Sequence, residues 1–226
     1  MRSFFSILLV NLFLLSSPAS SSLPPPSTKL FWATPLQEYS TLSILTPEAL
    51  IKSALSAYSD FLTKYTPGPD LPSIGDAFYA WQLTSPIPEL TALHSIALEA
   101  FTDTSVSLFN KPLTSTQASS IYCWAAVAGG SSRVSYHPPH AHRNSELSLV
   151  YYAQTPPGAG SITFYDPRSR FLDNVHVHQP TDNTLIVFPS WLTHAVAPSE
   201  STEMRVAFSC NLPGTWDATK DLNLEL

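Results

Sequence analysis

Six of the seven histidines in this 226-residue chain fall between positions 137 and 194. Imidazole ligates iron, copper, zinc and nickel, so such a concentration reads first as a transition-metal site. In His140-Ala141-His142 the two rings are two residues apart, and on an extended strand side chains at i and i+2 share a face. Both can therefore reach one ion; the alternative is a pair of surface histidines beside the Pro138-Pro139 turn. A third ligand has to come from another strand. His194 follows Phe188-Pro189-Ser190-Trp191-Leu192, a buried strand that ends in a proline-containing corner able to aim a side chain inward. Eleven residues further on, Arg205 opens an otherwise apolar run, Val206-Ala207-Phe208. A guanidinium directed into a β-barrel needs an anion. Its planar fork suits a carboxylate, which makes a dicarboxylate cosubstrate the natural occupant and a protein carboxylate the alternative.

Short β-branched and aromatic runs separated by Gly, Pro, Asn and Asp position these residues. They cover 121–127, 133–136, 146–154, 161–165, 174–178, 183–188 and 204–211. Strands at this spacing predict a sandwich or barrel rather than a parallel α/β sheet. Ahead of them, Thr46-Pro47-Glu48 reads as a helix start, followed by Leu50, Ala54, Tyr58 and Phe61 at helical spacing and a stop at Pro67-Gly68. A second apolar stripe predicts a helix over 88–101, with His94 an ordinary member of it. Both helices are expected against one outer face of the β domain. The resulting division is a leader over 1–22, a linker with a first strand over 23–45, helical support over 46–115, the β core over 116–214 and a tail over 215–226.

Several stretches in this order resemble the Fe(II)/2-oxoglutarate oxygenases, specifically a branch with an H-x-H motif. They are His140-Ala141-His142, Ser148-Leu149-Val150-Tyr151-Tyr152, Gly160 to Arg168 (Gly-Ser-Ile-Thr-Phe-Tyr-Asp-Pro-Arg), Phe188 to Pro198 and Arg205 to Asn211. Leu30 to Pro35 and Ala80-Trp81-Gln82 also resemble that family's amino-terminal part. The resemblance implies a mainly β fold with flanking helices, built on a double-stranded β-helix (jelly-roll, cupin-like) core. It further implies Fe(II) as metal, with 2-oxoglutarate and O₂ as cosubstrates. Carried onto this sequence, His140, His142 and His194 take the metal positions and Arg205 grips the distal carboxylate of 2-oxoglutarate.

Two departures stand out. The wider superfamily has a carboxylate where His142 stands, which leaves Glu146, and less so Asp166, as substitute ligands. It also often has a serine at the position of Ala207; Ser209 and Asn211, on the arginine's strand face, are the expected replacements. Strand parity turns only one of Tyr151 and Tyr152 inward, and Tyr152 is taken as the cosubstrate contact. Trp124 and Trp191 are expected in the core, His137 on the rim, and His176 and His178 in surface or supporting roles. In such a barrel the first and last core strands are neighbours, so Cys123 and Cys210 come within reach of a disulfide.

Charged residues make up only 12% of the chain and the net charge is −6, with no Lys/Arg cluster. Nucleic acid is therefore not an expected partner. Arg2, the apolar run Phe4 to Leu15 and the small residues Ser16 to Ser22 have the form of a secretory signal peptide cleaved near Ala19 to Ser22, the alternatives being an uncleaved signal anchor and the first half of a bipartite plastid signal. The apolar run is too short for a stable membrane span. The expected activity is hydroxylation of a small-molecule or peptide substrate. The alternatives are a three-histidine cupin-like dioxygenase without 2-oxoglutarate and a non-catalytic β-barrel binding module.

Overall fold

The computed structural model describes residues 26–31, 34–40, 47–65, 74–129, 136–142, 144–169 and 174–214. The expected leader (1–22), the Thr46 cap, the Pro67-Gly68 stop, most of the strand expected at 133–136 and the tail from 215 lie outside these residues. No helix among the described residues is long and apolar enough to cross a membrane.

Among the described residues fourteen elements follow one another, four helices and ten strands. A hairpin of β1 (Ser27–Phe31) and β2 (Thr34–Ser40) precedes helices α1 (Pro47–Lys64), α2 (Ile74–Gln82), α3 (Leu90–Phe109) and α4 (Ser115–Ser119). Then come β3 (Tyr122–Gly129), β4 (His137–His140), β5 (Ser145–Gln154), β6 (Ile162–Tyr165), β7 (Val175–His178), β8 (Thr184–Pro189), β9 (His194–Val196) and β10 (Met204–Pro213). They form a six-stranded sheet in the order β1-β2-β8-β5-β10-β3 and a four-stranded sheet in the order β4-β9-β6-β7. The paired strands are antiparallel throughout.

Strict alternation along the two central strands decides what faces the site. Leu147, Leu149 and Tyr151 of β5, with Val206, Phe208, Cys210 and Leu212 of β10, join the core made with α1 to α3. The intervening Val150, Tyr152 and Ala207 face the other way, into a second core with Ile162 and Phe164 of the smaller sheet. The larger sheet thus carries helices on one face and the barrel interior on the other. Tyr151 sends its hydroxyl to Asn183 Oδ1 at 2.8 Å, leaving Tyr152 as the inward tyrosine.

Helix α1 opens on Pro47, whose missing N–H costs nothing in the first turn, and buries Leu50, Ala54, Tyr58 and Phe61. Helix α3 runs eight residues beyond its expected end and stops at Asn110, in a left-handed conformation with φ 50°. The extension was hidden because its contacts are polar. Asp103 accepts from Tyr39 Oη at 2.7 Å, and Thr104 bonds Gln37 of β2. Helix α4 starts at a capping box made by Thr114 and Gln117. Helix α2 ends in Gln82, whose side-chain amide donates to Ala125 O (2.9 Å) and accepts from Ala125 N (2.8 Å). It thereby completes the exposed edge of β3 as a neighbouring strand would.

Three further differences concern the strands. The segment 23–45 supplies two strands where one was expected, and β2 enters the larger sheet beside β8. Pro138 and Pro139, expected as a turn, lie inside β4, an edge strand where a missing N–H is tolerated. The corner after β8 leads directly into β9, which at three residues is too short to show an alternating pattern. Finally, Cys123 and Cys210 sit opposite each other on β3 and β10 and form a disulfide.

Candidate metal centre

His140 and His194 are register partners on β4 and β9, with ring centroids 4.3 Å apart. His142 lies just past the end of β4, so strand parity does not aim it. Its backbone N–H donates to Ser190 O at 2.9 Å, which ties it to the corner that delivers His194. Its ring centroid is 5.1 Å from that of His140 and 5.3 Å from that of His194. One nitrogen from each of the three rings lies within 4.8 Å of the others, and among the described residues this is the one group of three side chains able to hold a metal.

The protonation states favour a ligand role. His140 Nδ1 sits 2.7 Å from Pro138 O and His194 Nδ1 2.9 Å from Leu192 O. A carbonyl oxygen only accepts, so each Nδ1 carries a proton, which selects the neutral tautomer whose Nε2 keeps its lone pair. Burial, then the nearby His140, lowers His194 to about 3; burial, then His140 and His137, lowers His142 to about 4. Both are neutral imidazoles at neutral pH.

Behind the triad lies a cavity of about 210 Å³ lined by Arg205, Tyr152, Ser209 and Asn211 together with the three histidines. Arg205 is only 5% exposed, and its Nε has no hydrogen-bond partner. Burial alone pushes the guanidinium below its ordinary value. Its Cζ stands 5.7 Å from the ring centroid of Tyr152, whose buried hydroxyl is likewise unpartnered. A buried cation and a buried phenol that share one cavity without partners make a seat for an anion.

The alternative ligands are engaged elsewhere. Glu146 pairs with Lys111 at 2.7 Å, and Asp166 accepts from Arg168 and Asn174. His176 stacks on Phe31 with centroids 3.6 Å apart. His178 is buried beside Tyr152, its Nε2 unpartnered. Asn211 departs from the expected role at the diacid end. Its amide bonds Ser148 Oγ and Tyr122 Oη and touches His142, on the metal side of the cavity. Ser209 lines the cavity, half-buried.

Neither tryptophan expected in the core is buried there. Trp191 is 55% exposed, and Trp124 is half-buried on the cavity wall, its ring centroid 6.1 Å from that of His142. Tyr79 of α2 meets Trp124 edge-on at 5.1 Å and Tyr122 stacks on it at 5.8 Å, giving an aromatic wall beside the ligands. Tyr122 and Trp124 were open to inference, because they lie opposite Asn211 and Ser209 in the β3–β10 register. Tyr79 carried no such signal.

The donor set fits a transition ion, with three imidazoles and no carboxylate in the group among the described residues. The buried, unpartnered Arg205 and Tyr152 fit a diacid. Residues 122–211 match the family model described as "Putative 2OG-Fe(II) oxygenase". No curated protein matches the chain. Among solved structures, a prolyl 4-hydroxylase from Phytophthora capsici aligns at 18% identity and TM-score 0.54, over 84% of this chain and 63% of that one. A prolyl hydroxylase from Trichoplax adhaerens aligns at 15% identity and TM-score 0.49, covering 84% of this chain and 87% of that one. The matched span contains all three histidines and Arg205, on two antiparallel sheets with the double-stranded β-helix arrangement of the Phytophthora structure; residues 122–211 are similar to the 2OG-Fe(II) oxygenase domain.

Proposed function

We propose that the protein is an Fe(II)- and 2-oxoglutarate-dependent dioxygenase that hydroxylates a C–H bond of its substrate. The observation that carries this reading is the buried guanidinium of Arg205, left without a partner at Nε in the same cavity as three convergent imidazoles. A ferrous ion with 2-oxoglutarate supplies O₂ activation coupled to oxidative decarboxylation, giving succinate, CO₂ and an oxygen atom for the substrate. His140, His142 and His194 hold the ion. Arg205 seats the distal carboxylate through its planar fork, and the Tyr152 hydroxyl donates to the same group. Their burial keeps water from competing for the diacid and strengthens both contacts.

Tyr79, Tyr122 and Trp124 offer the substrate a flat apolar surface next to His142. The substrate class is a small molecule or a peptide residue. Proline-containing peptides belong at the head of the panel because the Phytophthora neighbour is a prolyl 4-hydroxylase. A secretory-pathway setting is part of this reading: it is supported by the leader-like sequence over 1–22 and suits the Cys123–Cys210 disulfide.

An all-imidazole ligand set would also suit a cupin-like dioxygenase that needs no cosubstrate, and a binding module needs no turnover. Succinate formation over peptide and metabolite panels separates the three readings. The proposal requires succinate that depends on Fe(II), O₂ and 2-oxoglutarate and disappears in Arg205→Leu. Substrate oxidation that is indifferent to 2-oxoglutarate would favour the cupin-like reading.

A further inference from the structure

The three imidazoles differ in what holds Nδ1. For His140 and His194 it is a backbone carbonyl, which can only accept and so fixes the tautomer with a free Nε2. For His142 the neighbour of Nδ1 is the side-chain amide of Asn211, with Nδ2 3.4 Å away. An amide has two ends, and which one it turns toward the ring selects the tautomer.

In the arrangement observed, Asn211 Oδ1 accepts from Ser148 Oγ at 2.8 Å and Nδ2 donates to Tyr122 Oη at 2.9 Å. The N–H end then also faces His142, so Nδ1 is the acceptor, the ring proton sits on Nε2, and Nε2 has no lone pair for an ion. Turning the amide by half a rotation reverses every role without losing a contact. Oδ1 accepts from His142 Nδ1–H and from Tyr122 Oη–H. Nδ2 donates to Ser148 Oγ, which donates to Ser190 Oγ, its neighbour at 2.8 Å. The ring proton moves from Nε2 to Nδ1 by exchange with water at the half-exposed face of His142. Asn211 itself is buried, so its amide has these partners in place of solvent.

We propose that Asn211 is the positioning residue for His142, and that presenting its carbonyl to Nδ1–H converts His142 into a metal ligand. The inference rests on the proposed oxygenase reading. It explains how a histidine serves where the superfamily has a carboxylate: the third imidazole takes its tautomer from a side chain where the other two use the backbone.

Long-range ¹H–¹⁵N spectra of the full protein loaded with Zn(II) test this directly. The expected result is a protonated Nδ1 and a metal-shifted Nε2 on His142. Metal affinity supplies a second readout: Asn211→Leu should weaken Zn(II) binding about ten- to a hundredfold, whereas Asn211→Asp, which can only accept, should bind at least as tightly as the wild type. A wild-type spectrum with Nε2–H on His142, or equal losses in the Leu and Asp variants with unchanged melting temperatures, would overturn the proposal. The spectrum needs no variant to fold. If His142 shows the expected tautomer and ligation but no succinate is ever formed, the oxygenase reading fails while this one stands. If succinate forms and His142 remains unligated, the reverse holds.

Discussion

His140 and His194 face each other as register partners across the β4–β9 pair, their ring centroids 4.3 Å apart. Two candidate ligands are thus set by a single strand pairing, while His142 is tied to Ser190 by one backbone hydrogen bond. Metal affinity should therefore fall by more than about a hundredfold in His140→Ala or His194→Ala, since even residues that only orient a ligand are worth about ten- to a hundredfold. His176→Ala and His178→Ala should stay within about twofold of the wild type in a Co(II) titration, because neither belongs to the triad.

Arg205 should show a trade-off between stability and binding. Without a diacid its buried Nε is unpartnered, so the ligand-free fold carries an uncompensated charge. Replacing it by Met keeps much of the volume and should stabilise the ligand-free protein by about 1–3 kcal/mol in urea denaturation. The same variant should bind 2-oxoglutarate only at much higher concentration. An Arg205→Met protein no more stable than the wild type would mean that the guanidinium is already paired.

Gln82 substitutes for a missing strand at the edge of β3. Gln82→Leu leaves both Ala125 N–H and Ala125 C=O without that partner and should cost about 1–3 kcal/mol of unfolding free energy. Gln82→Glu can still accept from Ala125 N–H but cannot donate to the carbonyl when ionised, so it should fall between the two. Tyr79 sits three residues earlier on the same helix, and substrate affinity should decline along with stability.

The metal-free protein should lose stability as the pH falls below about 6.5, the ordinary histidine value. His142 at about 4 and His194 at about 3 are depressed in the folded state, so the unfolded chain takes up protons first. Stability from these two residues is complete above about 6.5 and is lost progressively toward 4 and 3. His176 and His178 are lowered by burial and act in the same direction. Melting temperatures from pH 7.5 to 4.5 should fall more steeply for the wild type than for a His142→Phe, His194→Phe double variant; parallel curves would contradict the assignment.

How much of this was legible in the sequence depends on which force acts at each place. Period-two alternation puts Arg205, Ser209 and Asn211 on one face of β10 and turns one of Tyr151 and Tyr152 inward without choosing between them, because burial on both faces of a central strand enforces register. The last turns of α3 were missed because Thr102 to Ser105 make polar contacts that mimic a surface. Helix α2 is short, and its decisive residue, Gln82, acts through an amide that no hydropathy pattern reveals. Parity put Asn211 on the correct face, but parity does not say how far along the strand a partner lies. Arg205 is six residues away toward one end, and His142 lies beside Asn211 at the other.

The most direct test of the account is an anaerobic titration of the Fe(II)-loaded protein with 2-oxoglutarate, followed in the visible spectrum. Convergent imidazoles with Arg205 seating the diacid should give a weak, saturable charge-transfer band in the wild type. The band should be absent from His194→Ala, and in Arg205→Met it should appear only at much higher 2-oxoglutarate. Iron-loaded, folded wild-type protein that shows no band at any 2-oxoglutarate concentration would contradict the account.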